Sequence, residues 1–270
     1  MIFDISTKES AMQFLCDFTG LSINSICDFL EQNTIIDGCC IDTTSATAEN
    51  LMTQSGIDFD SLDTTAVKAK VTHYTSNNDN CETIRKIGLG DLQFAVSRDT
   101  PLKRFLEKND ISIFPDTHLL KYKEQLFDIS YTRYDSDNPV TQVAHKMYYD
   151  NQISCFFRII DISRYGGHVD KRPEILFNLD TLFKSLSLSR SWVEQSKSYE
   201  VSFLAPLSDF ELFTFYDHRQ TPYYDNEKMA EAIIEKALGV ASAADSDELF
   251  AYMKPSIVIS PNQIISIKEI

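Results

Sequence analysis

Apolar residues near the start of the chain recur three and four positions apart. Met12, Leu15, Cys16, Ile23, Ile26, Cys27 and Leu30 form a stripe over residues 8–32, which predicts helix, with Gly20 breaking the run into two. Residues 42–66 are rich in Thr, Ser and Asp around Leu51, Met52, Ile57, Phe59 and Leu62, which predicts one short helix and an irregular linker. Large apolar residues in 1–66 are too few to close a core of their own. The segment reads as a small helical cap that buries its stripe on the rest of the chain.

From Val67 the pattern alternates between helix and strand. Val67–Thr75 is β-prone, and Asp79-Asn80-Cys81-Glu82 has capping-box form, with Gly88 in the left-handed position that ends the following helix. Thr100-Pro101 opens another helix, striped by Leu102, Phe105 and Leu106. Ile111–Phe114, Leu119–Tyr122 and Leu126–Tyr131 predict short strands with a hairpin, residues 139–150 a helix, and Asp150–Ile162 an alternating strand. Glu174–Leu188 reads as helix behind Pro173, Tyr199–Leu204 and Phe210–Tyr216 as a strand pair, and Glu227–Leu238 as an amphipathic helix closed by Gly239. Ser256–Ser260 and Ile264–Ile267 are expected as closing strands. The pattern predicts an α+β protein with mixed, largely antiparallel sheets and flanking helices. Its expected division is a helical N-terminal cap over 1–66 and a main domain over 67–270.

Charge sharpens this division. The net charge is -15, and residues 1–66 hold eleven acids against Lys8 alone. Such a field repels phosphate backbones and disfavours a large nucleic-acid interface, while offering an acidic face to a protein partner. No apolar run approaches the roughly 20 residues that span a bilayer. Met1–Ser6 lacks the basic start of a secretory signal, so no membrane association and a cytoplasmic location are expected. The six cysteines contain no Cys-x-x-Cys pair and read as reduced thiols. Adjacent Cys39 and Cys40 have no His or second Cys pair nearby to complete a ligand set, and no metal site is expected.

Residue order points to chemistry in Lys70-Val71-Thr72-His73-Tyr74-Thr75-Ser76, followed by the helix closing on Gly88-Leu89. The plain structural reading is a strand end, with His73 capping a turn and Thr75 filling a pleat. The same stretch resembles the first motif of the ADP-ribosyltransferase-like superfamily, whose bacterial branches carry His-Tyr-Thr. That resemblance implies that His73 and Thr75, with Tyr74 between them, hold the ribose of NAD. It also implies a later tyrosine against nicotinamide, for which Tyr149 (or Tyr148) stands. Cleaving the glycosidic bond develops an oxocarbenium ion, which needs a nearby carboxylate and a held leaving group. The terminal stretch Lys254–Ile267 resembles the family's last strand, but Ser256 falls where active members carry Glu. Glu174 is then the preferred substitute, with Glu211 and Glu269 behind it.

Arg164-Tyr165-Gly166-Gly167-His168-Val169-Asp170-Lys171-Arg172-Pro173-Glu174 is the densest polar loop, placed before a helix start. It reads either as a polar surface turn or as an anion site in which Arg164 and Arg172 meet a pyrophosphate. Gly88-Leu89-Gly90 lacks the third glycine of a dinucleotide fingerprint. Ser136-Asp137-Asn138 reads as a turn, and His118, His145 and His218 have no metal-ligand spacing. The resemblance implies an NAD-dependent transferase of the kind found in bacterial toxins and phage conflict. The alternative is a catalytically inactive module of the same fold that binds a protein through its acidic N-terminal face.

Overall fold

The computed structural model describes residues 1–37, 40–42, 45–242 and 248–270, with the backbone alone over 35–37 and 40–42. Cys39 and residues 243–247 lie outside the described residues, as does the Cys40 side chain. In chain order the elements are β1 (Ile2–Phe3), α1 (Lys8–Thr19), α2 (Ile23–Asn33), β2 (Ile35–Asp37), β3 (Cys40–Asp42), α3 (Ala48–Ser55) and β4 (Lys68–Asn77). Next come α4 (Glu82–Ile87), α5 (Leu92–Ser97), α6 (Pro101–Lys108), β5 (Ile111–Phe114), β6 (Leu119–Tyr122), β7 (Gln125–Asp128) and α7 (Pro139–Tyr148). The last are β8 (Ser154–Ile159), α8 (Glu174–Leu182), α9 (Leu188–Val193), β9 (Lys197–Pro206), α10 (Asn226–Ala241), β10 (Glu248–Tyr252) and β11 (Ile264–Glu269). Helices flank largely antiparallel sheets, so the fold class is α+β. No helix among the described residues is long and apolar enough to cross a membrane.

Two compact units divide the chain, and residues 1–66 belong wholly to the first, which comprises 1–72, 155–160 and 204–252. There β1 runs parallel to β4, pairing Ile2 with Lys68 and Phe3 with Ala69. On β4, Thr72 pairs antiparallel with Phe156 of β8, and β10 lies outside β8. Helix α1 starts at Thr7, whose side chain accepts from the Ser10 amide, and ends at Gly20 with φ 74. A residue with a Cβ would be strained at that left-handed position. Its buried stripe packs on α10, and Phe3 meets Phe14 and Phe157 edge-on at 4.9 and 5.4 Å. Ile23 is 56% exposed, so the α2 stripe rests on Ile26, Phe29 and Leu30. Polar ties reinforce the packing: the Ala48 amide at the start of α3 donates to Glu235 at 2.7 Å, and Thr64 donates to Asn226.

The second unit holds residues 73–154, 161–203 and 253–270. Its strand β9 lies between β4 and β11, while β5–β6–β7 form a separate antiparallel meander. The apolar core joins Leu106, Ile111, Val143, Met147, Leu176 and Trp192. Trp192 stands edge-on to Phe105, and its indole N–H donates to Ser76 Oγ at 2.7 Å, which satisfies the donor that burial would otherwise strand.

Several local expectations change. Phe210–Tyr216 is no strand; Leu212–Thr214 makes a 3-10 turn, which buries Phe210 and Phe215 and leaves Phe213 46% exposed. Ser256–Ser260 is a turn followed by a single bridge between Leu89 and Ile259, so Ile264–Glu269 alone is a closing strand. The helix begun at Glu174 stops at Leu182, because Asp180 turns back to accept from the Leu188 and Ser189 amides and starts α9 instead. Asp79 accepts from Thr83 rather than capping at Glu82. Gly88 ends α4 with φ 90 and ψ -174, outside the left-handed helical well. A Cβ there would sit 2.2 Å from the Ile259 carbonyl oxygen, so glycine allows the Leu89–Ile259 bridge. Helix α10 runs through Gly239, since burial of Ala237, Leu238, Val240 and Ala241 outweighs the roughly 1 kcal/mol cost of a helical glycine.

Asp91 ties the second unit together. It is buried, caps α5 by accepting from the Phe94 amide at 2.8 Å, and accepts from Asn151 at 3.3 Å and from the Ser256 amide at 3.0 Å. Asp91→Ala leaves these donors without their acceptor and is expected to cost about 2–4 kcal/mol. Urea unfolding followed by Trp192 fluorescence measures it, and a loss within experimental error would refute the assignment.

Candidate functional site

Strand β4 carries the His-Tyr-Thr stretch within its length and runs on through Asn77, so His73 caps no turn as the strand-end reading expects; successive side chains point to opposite faces. His73 is half-buried, and its Nδ1 lies 2.9 Å from the Ser154 carbonyl oxygen. A carbonyl can only accept, so Nδ1 carries the proton and Nε2 is left as a lone-pair acceptor. Burial holds the imidazole below its ordinary pKa of 6.5, against the opposing effect of the Ser154 hydrogen bond. The ring is therefore neutral at pH 7, with one fixed tautomer. Nε2 makes no hydrogen bond among the described residues.

The neighbours of His73 do other work. The Tyr74 hydroxyl approaches Glu200 on β9 at 3.5 Å, and burial together with that carboxylate pushes its pKa up to about 12. Thr75 Oγ1 makes a long contact of 3.4 Å with the Ser76 carbonyl, and Ser76 is taken by Trp192. Strand alternation turns Tyr74 to the face opposite His73 and Thr75.

Tyr149 caps the C-terminus of α7 and is 66% exposed. Its ring lies 4.9 Å from His145 and 5.8 Å from Tyr131, while Tyr134 meets His145 at 4.8 Å. Glu174 opens α8, where a negative charge suits the helix dipole. Its carboxylate is 2.5 Å from Lys146 Nζ, and Lys146 is equally close to Asp150. Burial works against the Lys146 charge, but hydrogen bonds to Asp150 and Glu174 outweigh it and raise the pKa. Glu174 is thus committed to an ion-paired triad. Sequence reasoning missed Lys146, although the Lys146–Asp150 spacing is a readable i,i+4 helical pair.

Arg164 projects into solvent and contacts Asp161 at 3.3 Å. The Arg172 guanidinium lies over the Phe177 ring at 5.1 Å, and its Nη1 is buried without a hydrogen-bond partner. Neither hydrogen bond, ion pair nor ring contact joins His73 to Tyr149, Glu174, Arg164 or Arg172 among the described residues. At the position expected for the family's acid, Ser256 occupies a turn with φ 65. Glu269 is paired with Lys197 at 2.9 Å, and Glu211 lies in the first unit.

The lowered His73 pKa makes stability depend on pH. The unfolded imidazole takes up its proton near 6.5 and the folded one only at lower pH. Stability therefore falls as pH drops below about 6.5, down to the folded pKa. His73→Asn keeps a donor toward Ser154 without a titrating ring. It is expected to flatten this part of the profile in urea unfolding; parallel profiles for the two proteins would contradict the burial argument.

No protein-family model, curated protein or solved structure matches this chain.

Proposed function

We propose that the chain is an NAD-binding, ADP-ribosyltransferase-like protein in which His73 accepts a hydrogen bond from a ribose hydroxyl. The observation that supports this reading is the neutral imidazole whose Nδ1 is tied to Ser154 and whose Nε2 is left as an acceptor. A fixed acceptor suits a hydroxyl donor, and it fails once the ring is protonated. In transfer, the bond between nicotinamide nitrogen and ribose C1′ breaks, nicotinamide leaves with the electron pair, and an acceptor nucleophile attacks C1′. His73 orients the ribose in this scheme, and Tyr149 offers an exposed ring to nicotinamide. The reading extends to an effector role in toxicity or phage conflict, with NAD as the consumed substrate.

A second reading has a specific observation in its favour. The Glu174 carboxylate is ion-paired with Lys146, and Ser256 stands where an acid is expected. A protein so arranged binds NAD or a partner without transferring ADP-ribose, and the acidic N-terminal segment is then the face for a basic protein partner.

Calorimetry with NAD on wild type and His73→Ala separates these readings. Binding that weakens at least about ten-fold in the variant supports the His73 pocket, in line with the loss of one well-placed hydrogen bond. Absence of binding at millimolar NAD overturns it. Where NAD binds, nicotinamide release by wild type that Glu174→Gln abolishes supports the transferase, and binding without release supports the inactive module.

A further inference from the structure

A cleft of about 290 Å³ lies in the second unit, bounded by the end of α5, by α6 and by β5 with the turn that follows it. Its floor is apolar, for Val96 and Leu106 are buried side chains of the core. Phe114 also lines it and stays 46% exposed, so a large apolar ring faces the cleft without a cover. Three charged side chains share the lining: Lys103, Glu107 and Asp116. They are unequally engaged. Lys103 Nζ is 3.8 Å from the Glu107 carboxylate and donates to the Ser97 carbonyl at 3.4 Å. The Asp116 side chain is exposed and makes no hydrogen bond or ion pair among the described residues. Two carboxylates against one ammonium leave the cleft negative, and Asp116 is the group with its charge still open to a ligand.

We propose that this cleft binds a small primary amine that carries an aromatic ring, as its ammonium ion. A cavity of about 150 Å³ takes up a benzene, so the cleft has room for a ring with a short aminoalkyl chain. The ring covers Phe114, Val96 and Leu106, and the ammonium, with three N–H donors, meets Asp116 while Glu107 adds to the negative field. An anion of the same shape is disfavoured. It meets two carboxylates, and the single ammonium that could hold it is already shared between Glu107 and the Ser97 carbonyl. His73 does not line the cleft, so the site does not rest on the NAD reading.

Calorimetric titration of the full chain with 2-phenylethylamine, protonated at neutral pH, tests the site against two probes of similar shape, 2-phenylethanol and 3-phenylpropionate. The amine is expected to bind at millimolar concentration, the strength usual for so small a ligand, and at least about five-fold more tightly than either probe. Asp116→Asn, a change at an exposed turn, is expected to remove most of the preference for the amine over the alcohol while preserving Trp192 fluorescence. Ser97→Phe, at the rim, fills the cleft and is expected to weaken amine and alcohol alike. Equal affinities for amine and alcohol, tighter binding of 3-phenylpropionate, or no binding of the amine up to about 10 mM would each overturn the proposal. So would a preference for the amine untouched by Asp116→Asn, or an affinity unmoved by Ser97→Phe. Failure of NAD to bind at His73 leaves these outcomes standing.

Discussion

Asp91 brings together three places that lie far apart along the second unit's chain. Its carboxylate is buried, so the charge is tolerable only while the Phe94 amide, the Asn151 side chain and the Ser256 amide converge on it. That requirement fixes the start of α5, the approach to β8 and the turn at Ser256. Next to it, Gly88 lets Leu89 and Ile259 exchange hydrogen bonds at 2.9 and 2.8 Å. The turn delivers the chain into β11, which pairs with β9 from Ile264–Phe203 to Glu269–Tyr199. Strand β9 in turn neighbours β4, which carries His73.

The second unit also shows how differently similar charges can be used. Lys146, Asp150 and Glu174 hold one another in a triad whose partners are close and mutually satisfying. Such a cluster fastens the start of α8 to α7. A few residues away in sequence, Asp170 Oδ1 and Arg172 Nη1 are buried with no hydrogen-bond partner among the described residues, and the Arg172 guanidinium lies over the Phe177 ring. Residue type alone does not set these surroundings: Glu174 is ion-paired, and Asp170 Oδ1 has no donor.

Much of the architecture was legible in the chain. The Gly20 break, the Thr100-Pro101 start, the three meander strands and the amphipathic run in α10 all follow from local signals that tertiary packing reinforces. Where the reading went wrong, a contact distant in sequence decided the outcome. Phe210–Tyr216 carries strand-like side chains, but the Glu211 amide donates to Tyr252 and Thr214 Oγ1 accepts from the Tyr252 amide, which fold the segment into a turn. Glu174–Leu188 keeps its apolar stripe, and Asp180 breaks it by capping the next helix. Of the candidate site, the place of His73 on a strand was legible, because a histidine in a β-prone run is visible in one dimension, although the strand continues past the expected end at Thr75 to Asn77. Its tautomer was not, since Ser154 is eighty-one residues away.

The first unit is assembled from three stretches of chain, and β1 pairs with residues 68 and 69 while α1 packs on α10, which starts at Asn226. A chain leaves the ribosome N-terminus first. Helices α1 and α2 therefore emerge long before their apolar stripe has anything to cover it, and must wait while most of the second unit is made. The concentration of acids in residues 1–66 takes on another meaning in that interval. Mutual repulsion keeps these early segments from sticking to copies of themselves on neighbouring ribosomes, and the charge that shapes the finished surface also protects the unfinished one.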